Sequence, residues 1–382
     1  MSAVHTLTDA EHDVWVDAFH TGSAELGVAT PRPWSVRKRT LRGGPRDGVD
    51  LIEVDNGALK FSVVPTRGMG LWRGSFRGMP LGWQAPVVGP VHPKLVDLSA
   101  RGGLGWLTGF DEWLCRCGLG WAGPPGDDDG FALTLHGRIA NTPAHRVEVA
   151  VERKPPHTIS IFGQVEEGGL FWPHLRLTTT YTTQPGSNRL TVHDVVENRG
   201  ARPAEMQLLY HCNNGPPLLG EGGRVRVPVR EVTPLTKWAA QGAKTWDTYA
   251  GPAAGFAEQV YACVPAAGGE GKTLAVLHDP TGERGLALRW DIWQLPFFTV
   301  WKNTAAVEDG YVTGLEPATC FSTFRAKERA AGRLVTLPPG GKYEAAWSIE
   351  AFDTSAAVAD AVAEVEAIQA SVEPVIHREP MG

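Results

Sequence analysis

The sequence predicts an all-β chain: a large antiparallel β-sandwich with a short N-terminal helix and a second helix near the C-terminus. Segment after segment alternates apolar and polar residues with a period of two, as a half-buried strand requires. HRVEVAVERK, HTISIFGQV, LRLTTTYTTQPGSNRLTVHDVVEN, RVRVPVREV, TLAVLHD, GLALRWD, FFTVWKN and KYEAAWSIEAF all read this way. The 45 Gly and 29 Pro gather in turn clusters such as GPPGDDDG, QPGSN, AAGGEGK and PPGGK, which suits many short strands joined by turns. Helical repeats are missing between the strands, and strands without interleaved helices pair antiparallel.

In chain order, residues 8–20 (TDAEHDVWVDAFH) are expected to form a short helix, with Thr8 or Asp9 as its cap and acidic residues in its first turn. LIEVDNGALKFSVVP holds two apolar runs around Asp-Asn-Gly, a hairpin signal. The alternating strand segments follow. Residues 354–371 (TSAAVADAVAEVEAIQAS) read as one amphipathic helix with Ala and Val on one face and Thr354 or Ser355 at its cap. The tail after Pro374 is expected to be loosely ordered. The chain thus divides into a helix and lead-in over 1–40, a sandwich over 41–352, and a helix and tail over 353–382. No linker splits the middle unit.

Composition narrows the function. A net charge of −6 and a pI near 6.1 offer no basic face to a polyanion, so nucleic acid is not an expected partner. No run of about 18 apolar residues suggests a membrane span. The polar, acidic start MSAVHTLTDAEHDVW lacks the build of a secretion signal, and five cysteines are an odd count. Reduced thiols in a cytoplasmic protein are therefore expected. Cys115 and Cys117 form only a Cys-x-Cys pair, short of a zinc site. GPPGDDDG, with Asp127, Asp128 and Asp129, lacks the spacing of a calcium loop and reads as a solvated turn. Most of the 14 Trp are expected in the core, with a few left to line a cleft, where indole faces can stack on sugar rings.

Three segments place ionisable or amide groups where a strand meets a Gly- or Pro-rich loop, a place from which a rigid strand can aim them at a cleft. They are LTLHGRIAN (His136, Arg138, Asn141), LLYHCNNGPP (Tyr210, His211, Asn213, Asn214) and YVTGLEPAT (Glu316). His174 in FWPHLRL could be a further imidazole of the site. Asp111 in TGFDEWLCRCG could sit in a covering loop. Trp293, Gln294, Trp301 and Lys302 flank the strand before Glu316. Alternation puts Trp301 and Lys302 on opposite faces, and Lys302 is the one expected to face the cleft.

A His-Gly segment, a strand ending in His followed by Asn, and a late Gly-then-Glu segment, in that order, resemble the aldose 1-epimerase (galactose mutarotase-like) superfamily. PTRGMG, with Arg67, and LPFFTVWKNTAAVEDGYVTGLEPAT resemble a DUF4432-like subgroup of it, and the likeness spans roughly residues 45–350. Two departures are visible: His-Cys-Asn-Asn-Gly-Pro-Pro replaces the His-Ser-Tyr-Phe-Asn type, and the Asp that binds a hexose hydroxyl has no clear counterpart. The resemblance implies an isomerase that interconverts sugar anomers by opening the hemiacetal ring. Glu316 would be the base, His211 the acid, and His136 and Arg67 would stabilise developing charge. Arg138, His174, Asn213, Asp111, Trp293 and Lys302 would bind substrate. No cofactor is implied. The alternatives are an epimerase or lyase acting on an oxidised sugar, a divalent metal held by His136, His174, His211 and Glu316, and a sugar-binding protein without turnover. Assembly as a homodimer is open.

Overall fold

The computed structural model describes residues 2–381. A ten-stranded sheet packs face to face on a fourteen-stranded one, and nearly all neighbouring strands run antiparallel. The alternation read from the sequence is what closes this sandwich. In Arg146–Glu152, Val147, Val149 and Val151 are buried, and across the gap Ile52, Val54, Leu208, Tyr210 and Cys212 meet them in one core. Burial of apolar surface at roughly 25 cal/mol per Å² is the main force holding the two layers together.

The hairpin around Asp-Asn-Gly forms as expected: Asp50–Asp55 pairs with Leu59–Val64. The C-terminal helix forms over Ser355–Gln369, with the Thr354 hydroxyl accepting from the Ala357 N–H. Its Val358, Ala361 and Val365 cover Leu274, Val276 and Ala287 on the outside of the ten-stranded sheet. Among the described residues, no helix is long and apolar enough to cross a membrane.

Three expectations fail. No helix forms over 8–20: Ser2–Asp9 is a strand paired with Arg146–Glu152, and Val14–Trp15 and Phe19–Gly22 follow as short strands. The local cap signal is outweighed because pairing buries Leu7 in the sandwich core, a gain that no isolated helical turn offers. Residues 2–40 therefore supply strands to both sheets and are not a lead-in to them. RVRVPVREV is not one strand. It breaks into Arg224–Arg226 and Val229–Pro234, which lie in different sheets, since Pro228 has no N–H for a continuous ladder. The tail after Pro374 is tied down, with Val375–Ile376 pairing in parallel with the Val229–Pro234 strand.

The part of the fold that matters for function is the outer face of the large sheet. Along Ala204–Asn214, Leu208, Tyr210 and Cys212 point into the sandwich, so Leu209, His211 and Asn213 point out. There Leu209 joins a second apolar cluster with Cys115, Cys117, Ala318 and Cys320. A long excursion between Leu81 and Leu114, carrying Trp106 and Phe110, folds down over this face.

Candidate functional site

His211 and Glu316 are cross-strand neighbours. Their strands, Ala204–Asn214 and Val312–Ala318, are paired with Cys212 opposite Leu315 and Leu209 opposite Ala318, which sets His211 opposite Glu316. His211 Nε2 lies 3.3 Å from Glu316 Oε1. The two residues, 105 positions apart in the chain by their numbers, are brought together by register alone.

The imidazole is oriented from behind. The Asn213 amide donates through Nδ2 to the Glu112 carbonyl, so its Oδ1 is left to accept from His211 Nδ1 at 2.6 Å. That hydrogen bond fixes the tautomer, with the proton on Nδ1 and the lone pair of Nε2 facing Glu316. Asn213 thus spends its polar groups on holding His211 and is a positioning residue, not the substrate ligand that the resemblance implied.

His136 closes the other side. It adopts a left-handed conformation, φ 58°, which is uncommon outside glycine but several-fold enriched for His. This turns its ring inward, 5.5 Å from the His211 ring and 4.8 Å from Trp106, with Nδ1 donating to the Ala122 carbonyl at 2.8 Å. Phe110 and Trp301 complete an aromatic surround, their ring centroids 5.1 and 5.3 Å from that of His211. Both side chains are almost wholly covered, 5% exposed for His211 and 3% for Glu316. They lie under an aromatic cap rather than at the floor of an open cleft.

Burial sets their protonation. It pushes the Glu316 carboxyl well above its ordinary value, helped by the Glu258 carboxylate nearby. It pushes His211 down to about 3, with His136 adding to the effect, and His136 down to about 4. A dry site disfavours every charge, so burial favours the neutral form of both groups, with the shared proton on Glu316.

Gly314 leaves the pair room that a side chain would take. A Cβ there would lie 2.6 Å from Glu316 Oε1, 3.0 Å from His211 Cε1 and 3.2 Å from Trp301 Cε3. Gly314→Ala is expected to keep the fold at a cost of about 1–3 kcal/mol. For a pair that carries out anomer exchange it should lower kcat/KM about 100-fold, because displacement of a reacting group by an ångström costs that much. Parallel melting and anomer-exchange assays check this, and an active Gly314→Ala protein would place the reacting atoms elsewhere.

Arg67 sits beside the site. Its Nε donates to Glu112 at 2.5 Å, and its Nη1 donates to the Val91 carbonyl and to Asn141 Oδ1, both at 2.9 Å. Asp111 is buried and accepts from Trp72 Nε1 at 2.8 Å. Burial and the neighbouring Glu112 carboxylate raise it to about 7. It belongs to the Arg67–Glu112 cluster behind the cap.

Four expected site residues are elsewhere. Lys302 shares the inward parity of Phe298 and Val300 and donates to the Thr245 and Thr248 carbonyls at 2.8 and 2.6 Å. It is Trp301 that faces His211. His174 pairs with Glu166 at 2.7 Å on the ten-stranded sheet, so the four-ligand metal set is not assembled. Among the described residues, no group of three or more His, Cys, Asp or Glu is placed to hold a metal. Trp293 is 72% exposed in a surface turn, and Gln294 donates nothing to the site, accepting instead from the Ala346 N–H. Arg138 points away from His136 and lies over Trp172, 5.4 Å from its ring. In the acidic turn, Asp128 is clamped by Arg325 and Arg329.

Trp106, Phe110, Glu112 and Gly314 were not singled out from the sequence. The two aromatics carry no signal that separates them from core Trp and Phe. The Asp111–Glu112 doublet inside an apolar stretch was a usable signal, since adjacent buried acids need partners.

The profile of DUF4432, a domain of unknown function, matches residues 46–351. The chain belongs to this family. It is similar over its whole length, 35% identical with a TM-score of 0.97 and full coverage of both chains, to a crystal structure from Klebsiella pneumoniae subsp. pneumoniae MGH 78578 described as a "putative aldose 1-epimerase". A galactose mutarotase-like protein from Clostridium acetobutylicum shares the fold at 11% identity and TM-score 0.57, with 84% of this chain and 98% of that one covered. One from Lactobacillus casei ATCC 334 does so at 15% and 0.51, covering 79% and 99%. The search of curated proteins finds no match. This DUF4432 chain therefore lies within the aldose 1-epimerase (galactose mutarotase-like) superfamily, and its all-β sandwich is the fold of that superfamily.

Proposed function

We propose that this DUF4432 protein is an aldose 1-epimerase that interconverts the anomers of a free reducing sugar, with His211 and Glu316 as its proton-transfer pair. The observation that carries the reading is the 3.3 Å approach of a desolvated imidazole to a desolvated carboxyl. Ring opening needs one group to take the proton of the anomeric hydroxyl and another to protonate the ring oxygen as its bond to C1 breaks. Rotation of the aldehyde and closure on the other face reverse both transfers. The pair holds one proton throughout.

At rest that proton is on Glu316. For Glu316 to act as base and His211 as acid, it must pass to His211, which changes no net charge. Sugar hydroxyls entering beneath Trp106 and Phe110 replace apolar cover with polar partners and so favour the ion-pair form. Unspent polar groups suited to hydroxyls surround the pair. Thr299 Oγ1 sits directly across from Glu316 in register, and Trp106 Nε1, Asn141 Nδ2 and Arg67 Nη2 are buried nearby without a hydrogen-bond partner among the described residues. A sugar bound here would give these groups hydrogen-bond partners.

An anomer-exchange screen by NMR or polarimetry across free aldoses is the primary test. No acceleration with any aldose, neutral or acidic, would remove the proposal. The pH profile is a second test. The working pair carries one proton, so the acid limb of kcat/KM must reflect protonation of a second site, His211 at about 3 or His136 at about 4. The free-enzyme profile should stay flat from about pH 7 down to near 5 and fall below that. A limb at the ordinary imidazole value of about 6.5 would contradict the dry, neutral pair.

A further inference from the structure

The turn His136–Gly137–Arg138 has a second side. His136 faces the aromatic cap, while Arg138 lines a separate cleft of about 330 Å³, within the size range of small-ligand sites. Its walls include Trp121, Phe131, Phe171 and Trp172. Neither His211 nor Glu316 lines it, and Gly118 bridges to Gly137 in the turn itself.

We propose that this cleft is a second saccharide site and that it takes an acidic sugar unit of the hexuronate class. Of its three arginines, two are spent, since Arg325 and Arg329 each pair with both Asp128 and Glu205. Arg138 is the exception. Among the described residues its exposed guanidinium makes no hydrogen bond and no ion pair; it lies over the face of Trp172, and the Glu167 carboxylate, held by the Leu119 and Gly120 N–H groups in the same cleft, feels its charge. A planar cation held on an indole is preorganised for a carboxylate, which it can bind through two parallel N–H···O bonds.

The same indole is 54% exposed and Phe171 is 95% exposed, more apolar ring than a surface loop ordinarily leaves to water. Phe171 also has φ 68°, a costly conformation for a bulky side chain that tends to cluster at binding sites. An aromatic face beside one cation whose N–H groups make no hydrogen bond among the described residues matches a pyranose ring, apolar on its C–H face, that carries a carboxylate at its edge. Neutral sugars lack the charge, and inorganic anions lack the face.

The test uses the full chain and its Glu316→Gln, Arg138→Gln and Trp172→Ala variants, with glucuronate, galacturonate, glucose and benzoate followed by saturation-transfer NMR and calorimetric titration. The inference expects a uronate to bind Glu316→Gln protein as it binds the wild type, so the site stands or falls apart from the catalytic reading. It expects Kd to rise at least 10-fold in Arg138→Gln and in Trp172→Ala, and glucose to bind at least 5-fold more weakly than the uronate. Both substitutions are on the surface, and unchanged far-UV circular dichroism and melting verify the fold. Four results would overturn the inference: no uronate binding, binding indifferent to Arg138→Gln, binding of benzoate alone, or concentration-dependent self-association that Trp172→Ala abolishes. The last would make the aromatic loop an interface between copies.

Discussion

Glu316→Gln is expected to abolish anomer exchange while the protein melts at the same temperature or higher. Glutamine keeps the shape and the hydrogen-bonding capacity of the protonated carboxyl but cannot move a proton. The loss should be at least 10²–10⁴-fold, the contribution of one positioned proton transfer, and His211→Ala should match it. Effects of groups that act as a unit are not additive, so the double variant should be no worse than either single one.

The stability difference should depend on pH, and its sign follows from burial. In the unfolded chain Glu316 ionises above about 4.5. In the folded chain it holds its proton well above that value. Folding therefore costs progressively more as pH rises from about 4.5 towards the folded value, and glutamine carries no such cost. The advantage of Glu316→Gln over wild type in thermal melts should grow between pH 5 and pH 8. His211 and His136, held neutral by burial, work in the opposite sense. The stability they leave intact above about 6.5 is lost as pH falls through that value towards their folded values near 3 and 4. A variant that is inactive only because it is unfolded, or one that retains exchange per folded molecule, would refute the assignment of Glu316 as a proton carrier.

The largest effect on stability should come from a pair that takes no part in the chemistry. Arg116 lies on Leu114–Leu119 of the large sheet and Asp194 on Arg189–Asn198 of the other. They meet between the layers through two hydrogen bonds of 2.5 and 2.8 Å, with neither side chain exposed. Tyr181 and Thr179 accept from the guanidinium at 3.0 and 2.7 Å, and Tyr210 donates to the carboxylate at 2.8 Å. The net worth of such a pair is small, because desolvation offsets the attraction. Removing one partner strands a buried charge, which costs about 3–5 kcal/mol.

Asp194→Ala is thus expected to lower stability by about that amount, read from denaturant midpoints at constant slope. Arg116→Met combined with Asp194→Leu, which removes both charges and keeps the volume, should recover most of it. Equal damage from the single and double variants would show that packing, not charge, holds this point of the sandwich.

The two buried charged sites illustrate different degrees of legibility. His211 and Glu316 stood out because each lies at the end of a strand-like run beside a Gly- or Pro-rich turn. Arg116 stood between two cysteines in an unremarkable run, and nothing in its neighbourhood names Asp194, 78 residues on. The expectation that Lys302 faces the cleft fails because alternation separates it from Trp301 without saying which of the two looks inward. The parity of Phe298 and Val300, buried in the sandwich core, is what assigns them. His174 and Arg138 were drawn in by residue type, yet one pairs on the opposite sheet and the other turns to the far side of its own loop.

The sequence alone determined the all-β class, the Asp-Asn-Gly hairpin and the C-terminal helix with its Thr354 cap, and it singled out His211 and Glu316 as the pair on which the proposed function rests. All of these rest on short-range patterns: a period of two or 3.6, a turn dipeptide, a capping hydroxyl, an ionisable side chain at a strand end. The tertiary structure decided that residues 2–9 pair as a strand, that Trp301 rather than Lys302 faces the site, that Asn213 orients His211, and that the pair is buried. Strand partners, sheet faces and desolvation are set by segments tens to hundreds of residues away, and local periodicity carries no information about them.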